Sequence, residues 1–205
     1  MFTPGANPIE KIKAEKDGLD ILQEIGVLAA NGYSRLSPGD AERLKWIGTF
    51  LRKKTPGFFM MRVRIPNGIT NAEQFRTIAR ISVEFGKGFA DITTRQQVQL
   101  RNMTIEQVPT ILERLRAVGL TTLQTGMDNI RNVVGCPVAG IHAGEIFDAS
   151  PVVQEFTKIF VGNKEFTNLP RKFNPTLTGC PDNCTHAESQ DLAMTPAERG
   201  TNGNR

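Results

Sequence analysis

Between Pro56-Gly57 and Asn67-Gly68, apolar side chains recur at every second position: Phe59, Met61, Val63 and Ile65, with Met60, Arg62 and Arg64 between them. A period of two belongs to a strand, because successive side chains leave opposite faces. FFMMRVRIP therefore reads as a strand with a core face and a charged face. Past Asn67-Gly68 the period lengthens. Thr70 and Glu73 are spaced as a capping box, and Phe75, Ile78, Ala79 and Phe85 fit one helical stripe. GFADITT and QQVQLR return to strand character, the second with Val98 and Leu100 inward and Gln97, Gln99 and Arg101 outward. Thr104 and Gln107 repeat the capping box. The helix they start carries Val108, Ile111, Leu112, Leu115 and Val118 on one face and ends at Gly119. TTLQT supplies one more strand.

Strand, helix, strand, strand, helix, strand is the ferredoxin-like split βαβ plan, an α+β fold with the first and third strands central in an antiparallel sheet. Both helices should cover one face. The other face would display Arg62, Arg64, Gln97, Gln99 and Arg101, which suits a bound anion or, equally, a solvated polar sheet face. Ahead of this unit, residues 8–31 read as helical, GYSRLSPGD breaks the pattern, and DAERLKWIGTFLRKK reads as helical again. Behind it, MDNIRNVVGCPVAGI is rich in small residues and turn formers. Ser150-Pro151 then opens a helix through PVVQEFTKIF, with the serine as cap. RKFNPTLTG and SQDLAMTPA are strand-like, and ERGTNGNR is a turn-rich segment of the kind that lies between two strands. Three parts result: a helical segment (1–54), the ferredoxin-like unit (55–125) and the first part of a further α+β domain (126–205) that looks cut short.

Composition narrows the function classes. The chain has 205 residues, 39% hydrophobic and 22% charged, which is ordinary for a soluble globular protein. No run approaches the roughly 20 apolar residues a membrane span needs. The first twenty residues have neither the apolar core of a signal peptide nor the bias of a transit peptide, so a cytoplasmic location is expected. A net charge of +4 suits an anionic partner without requiring nucleic acid. Cys136, Cys180 and Cys184 are an odd count and read as thiols or metal-associated residues. Cys180-x3-Cys184-x-His186 could hold zinc with Cys136 or His142 completing a tetrahedron, but no second ligand pair at comparable short spacing is evident. An iron–sulfur cluster generally needs four thiolates, and the chain has three.

FMMRVRIPNG, DITTRQQVQLR, GMDNIRNVVGCPVAG, LPRKFNPTLTGCPDNCTHAE and QDLAMTPA, in this order, resemble the amino-terminal half of ferredoxin–nitrite reductases. These are sirohaem and iron–sulfur enzymes of the nitrite/sulfite reductase superfamily. IEKIKAEKDGLD and ERLKWIG match as well. The resemblance implies a six-electron reduction of nitrite to ammonium in nitrate assimilation. It implies sirohaem coupled to a 4Fe-4S cluster, reduced ferredoxin as donor, and an enzyme that is monomeric when complete. It also implies that 126–205 begins the sirohaem-binding domain and that this piece alone is inactive. Carried over by motif, Arg95, Gln99 and Arg101 would bind the cofactor, while Arg62, Arg131, Lys172 and Asn174 would hold the substrate anion and donate hydrogen bonds to it. Taken singly, Arg62 and Arg101 are also compatible with a solvated face, Arg131 with a loop brace, and Lys172 with the surface. Arg64 has weaker motif support and is left out. GCPDNC would be a wall beside the cofactor, with the cluster's ligands in the other half of the enzyme and no metal ligand in this chain. Sulfite reductase is the rival within this chemistry; Asn174 argues against it, because sulfite-reducing relatives typically carry a second lysine there. From other classes, an RNA-binding module would stack bases on aromatics that QQVQLR lacks, and a zinc-binding module would need the cysteine motif to assemble.

Overall fold

The computed structural model describes residues 7–197. Three helices come first: α1 (Pro8–Glu15), α2 (Ile21–Asn31) and α3 (Pro38–Arg43), the first two separated by a short 3-10 turn that interrupts the expected continuous run. The second helical run also ends early. Gly48 takes a left-handed conformation (φ 71°), and Thr49–Leu51 then forms strand β1. The helical amino-terminal segment thus contributes a strand to the sheet that follows.

That sheet contains β1, β2 (Phe59–Val63), β3 (Ala90–Ile92) and β4 (Val98–Met103) in the order β1-β2-β4-β3, antiparallel throughout. The expected first and third strands, β2 and β4, are central. The expected fourth strand, TTLQT, shrinks to a single bridge between Thr121 and Arg64, and β1 occupies the rest of that edge. Helices α4 (Ala72–Phe85) and α5 (Val108–Ala117) pack over one face. Between them and the sheet lies a core of Phe59, Met61, Val63, Leu100, Ile78, Ile81, Ile111 and Leu115. The α4 capping box is one residue later than expected, Asn71 with Gln74, and the stripe shifts with it: Ile78 and Ile81 are buried while Phe75 and Ala79 are exposed. The Thr104–Gln107 box and the left-handed Gly119 (φ 74°) bound α5 as expected.

The remainder is built on parallel pairing. Ile130 and Val134 bridge Phe173 and Thr176, and β5 (Pro175–Leu177) pairs in parallel with β6 (Leu192–Met194). Helix α6 (Ser150–Phe160) closes a second core of Ile130, Val133, Val153, Phe160 and Leu177. Ser150 is its first residue rather than its cap. ERGTNGNR lies outside the described residues. Among the described residues no helix is long and apolar enough to cross a membrane.

Candidate functional site

On the sheet face away from α4 and α5, Arg62 of β2 lies opposite Gln99 of β4, and Arg101 follows two positions along. Alternation puts all three on one side. Arg62 stacks over the Phe50 ring at 4.8 Å and donates from Nη1 to the Thr125 carbonyl at 3.0 Å. Arg131 reaches the same carbonyl from the other side through its own Nη1, and its Nη2 donates to Met127 O at 2.7 Å. Two guanidinium groups thus converge on one peptide oxygen. Gly126 makes this possible, since a Cβ there would press into the Lys45 carbonyl and lie 2.7 Å from Phe50 Cζ.

Segment 171–174 runs beside this loop. Arg131 N donates to Phe173 O at 2.7 Å and Phe173 N to Asn129 O at 3.0 Å, with Ile130 and Phe173 paired and both in the second core. Lys172 and Asn174 flank Phe173 on this segment. Lys172 is exposed; Asn174 is fixed through its backbone, which accepts from Asp191 N and donates to Asp191 Oδ2. Of the seven expected residues, Arg62, Gln99, Arg101 and Arg131 come together, and Lys172 and Asn174 lie on the segment paired with Ile130 and Arg131. Arg101 is spoken for at one edge by Asp91, across the β3–β4 pair.

Arg95 is placed differently. It sits in the turn between β3 and β4 and donates to Asn132 O (2.7 Å), Pro175 O (3.2 Å) and Gln190 Oε1 (3.0 Å). Two expected outward side chains are in fact covered. Arg64 is 1% exposed and donates to the carbonyls of Leu123, Gln124 and Ile130, and Gln97 is buried.

The electrostatics follow from this crowding. Burial and then Arg101 push the pKa of Arg62 down. Burial and then Arg62 bring Arg131 down to about 10, partly opposed by Asp128. Burial brings Arg64 down to about 9, with Arg131 and Arg95 adding to it, and lowers Arg95 against the pull of Asp191. The Nε atoms of Arg62, Arg95 and Arg131 are buried without a hydrogen-bond partner. Clustered cations with unmade donors are the complement of an anion.

Sequence reasoning missed the residues that hold this set in place. Asn132 donates to Ile65 O and Arg95 O, and Gln96 makes a reciprocal pair with the Gly135 backbone. Gln96 and Met127 adopt positive φ, a cost that tertiary structure explains, while Asn67 does so in the Asn67-Gly68 turn. For Asn132 the sequence signal is the amide-rich run of DNIRNVVG. The cysteine motif does not assemble as spaced: Cys180 is buried, while Cys184 and His186 are exposed.

Residues 51–118 match the nitrite/sulfite reductase ferredoxin-like half domain, and residues 126–203 match the nitrite and sulphite reductase 4Fe-4S domain. The chain is 50% identical over 208 residues to the ferredoxin–nitrite reductase of Synechococcus elongatus, covering 98% of this chain and 41% of that protein. Against the chloroplastic ferredoxin–nitrite reductase of Spinacia oleracea the identity is 43%, covering 97% and 36% respectively. The solved structure of Mycobacterium tuberculosis NirA protein superimposes with a TM-score of 0.89 at 31% identity, over 96% of this chain and 39% of that one. The chain thus spans about two fifths of the length of the proteins it matches.

Proposed function

The chain belongs to the nitrite and sulphite reductase family, and on that premise we propose that it forms the anion-holding wall of a ferredoxin-dependent nitrite reductase. The observation that carries this reading is the convergence of Arg62 and Arg131 on the Thr125 carbonyl, each with a buried, unpartnered Nε. Like charges held this close are unfavourable without an anion between or beside them.

Sirohaem fits these residues, because an iron macrocycle edged with carboxylates needs fixed, permanently charged donors. Arg95, Gln99 and Arg101 would hold its periphery, and when bound it supplies the iron at which nitrite takes up six electrons. Its partner cluster is another matter. Four thiolates are needed, the chain has three cysteines, and Cys184 is exposed, so the 4Fe-4S ligands belong outside these 205 residues. Arg62 and Arg131 would grip the substrate oxygens, and the Lys172 ammonium would deliver protons as each oxygen departs as water. Reduced ferredoxin is the donor this reading implies.

Nitrite is favoured over sulfite because Asn174 is neutral. Sulfite bears more negative charge, and removing that charge from water calls for more cationic compensation. In the protein at its natural length, Asn174→Lys should shift the ratio of kcat/KM values toward sulfite by about tenfold, or roughly 1.4 kcal/mol of differential transition-state stabilisation. Equal loss on both substrates, with the ratio unchanged, would remove Asn174 as the discriminating residue.

A further inference from the structure

The reaction leaves one cluster of metal-ligating side chains unused. Cys136 and Cys180 are each 3% exposed. Cys180 Sγ lies 3.5 Å from His142 Nδ1, and His142 Nε2 lies 3.5 Å from Asp182 Oδ2. Ligand atoms of His142, Cys180 and Asp182 all fall within 4.8 Å of one another. Cys136 is buried near Cys180 but does not belong to that group.

The backbone assembles this cluster deliberately. Cys136 and His142 belong to one tight loop, in which Ala139 N donates to Cys136 O and His142 N to Val138 O. Cys180 and Asp182 come from a second loop, joined to the first by Ile146 N donating to Gly179 O at 2.9 Å. Both close approaches need glycine. A Cβ on Gly179 would drive into the Phe147 peptide, and one on Gly144 would lie 2.9 Å from His142 Cε1.

We infer that Cys180, His142 and Asp182 form a binding site for a soft divalent cation of the zinc class. The dimensions agree. Bonds of about 2.3 Å to sulfur and 2.0–2.1 Å to nitrogen around a tetrahedron set ligand atoms roughly 3.5 Å apart, which is the sulfur–nitrogen distance found. A thiolate, an imidazole and a carboxylate are each ordinary zinc ligands, and three of them leave a fourth position for water. A thiol and an imidazole select zinc-like ions over calcium or magnesium. His142 and Asp182 are 36% and 56% exposed, so a cation has a way in. The partners that the cysteine spacing seemed to lack are His142 and Asp182, and Cys184 and His186 are not needed.

The test is metal content. The protein is equilibrated with zinc sulfate under reducing conditions, passed over a chelating resin, and assayed for zinc and iron separately by mass spectrometry. Stoichiometric zinc should be retained, lost in Cys180→Ser and His142→Ala, weakened in Asp182→Asn, and kept in Cys184→Ser. In unmutated protein, zinc should also protect Cys180 from alkylation while Cys184 still reacts, a result that does not depend on any variant folding. Failure to retain zinc, loss in Cys184→Ser but not in Cys180→Ser, or a Cys136–Cys180 disulfide in place of bound metal would overturn the proposal. None of these readouts depends on nitrite chemistry.

Discussion

Arg64 is a cation in the interior whose partners are all neutral. Three carbonyls, those of Leu123, Gln124 and Ile130, accept from its guanidinium, and the Phe160 ring lies 5.2 Å from its centre. The planar fork explains the choice, since it reaches three fixed oxygens at once and cannot shed its charge as readily as an ammonium. Arg64→Lys keeps the charge and loses the fork. A lysine can satisfy one or two of the carbonyls, and each orphaned one costs about 1–3 kcal/mol, so a loss of about 2–4 kcal/mol at pH 7 is expected in urea unfolding. The variant should also gain a pH dependence. Burial, Arg131 and Arg95 depress the cation at this position, so a lysine here would titrate below the roughly 10.4 of an unfolded chain. Between those values the unfolded state binds more protons, and stability must rise with pH through that window. The parent protein gains no such slope from Arg64 below about 9. A variant that melts with the same pH profile as the parent would contradict this. Alternation along FFMMRVRIP assigned Arg64 to the right face of the strand, but a period of two says nothing of what covers that face. The covering loop comes from about sixty residues further along the chain, and only its small residues and turn formers hinted at it.

At the scale of elements, what could be read from sequence was what local periodicity controls. Phe59, Met61, Val63 and Leu100 are all buried where alternation placed them, and α5 buries Val108, Ile111 and Leu115 on its expected stripe. The fourth strand failed because TTLQT spends its hydrogen bonds elsewhere. Its carbonyls serve Arg62, Arg64 and Arg131, and the chain turns through positive φ at Gln124 instead of continuing beside β2. β1 was hidden by the helical spacing of ERLKWIGTFLRKK, and Gly48 was the unread stop signal. The site inherits this arrangement: Phe50 of β1 carries Arg62, and Gly126 lets the loop come down on both. Two glycine-to-alanine changes should therefore act in opposite directions. Gly126→Ala meets backbone at Lys45 and ring carbon at Phe50, and overpacking of this kind costs about 1–3 kcal/mol. Gly26→Ala, mid-helix in α2 with nothing within 4 Å of the new Cβ, should stabilise by about 0.5–1 kcal/mol. Thermal melts of the pair, side by side, check the sign of each.

Across the whole molecule, the candidate anion site is divided between two units. Arg62, Gln99 and Arg101 stand on the antiparallel sheet, while Arg131, Lys172 and Asn174 stand on the parallel one. Their relative placement depends on the seam between 93–97 and 132–135, where Arg95, Gln96 and Asn132 exchange hydrogen bonds across it. Arg95 reaches furthest, tying the β3–β4 turn to Asn132, Pro175 and Gln190 together. This gives the residue an architectural duty that its family motif alone does not reveal, whether or not its remaining Nε also meets a cofactor. Hydrogen bonds to charged groups contribute about 1.5–3 kcal/mol each, so Arg95→Met should lower the local opening energy of the parallel unit by more than 1.4 kcal/mol. Amide exchange at 130–134 and 173–177 should then quicken at least about tenfold, while the β2–β4 amides, held by the first core, keep their protection. A uniform rise over both sheets would mean that Arg95 supports global stability rather than the seam. Exchange confined to the parallel unit would instead show that Arg95 and the amides around it help hold the two halves of the site in register.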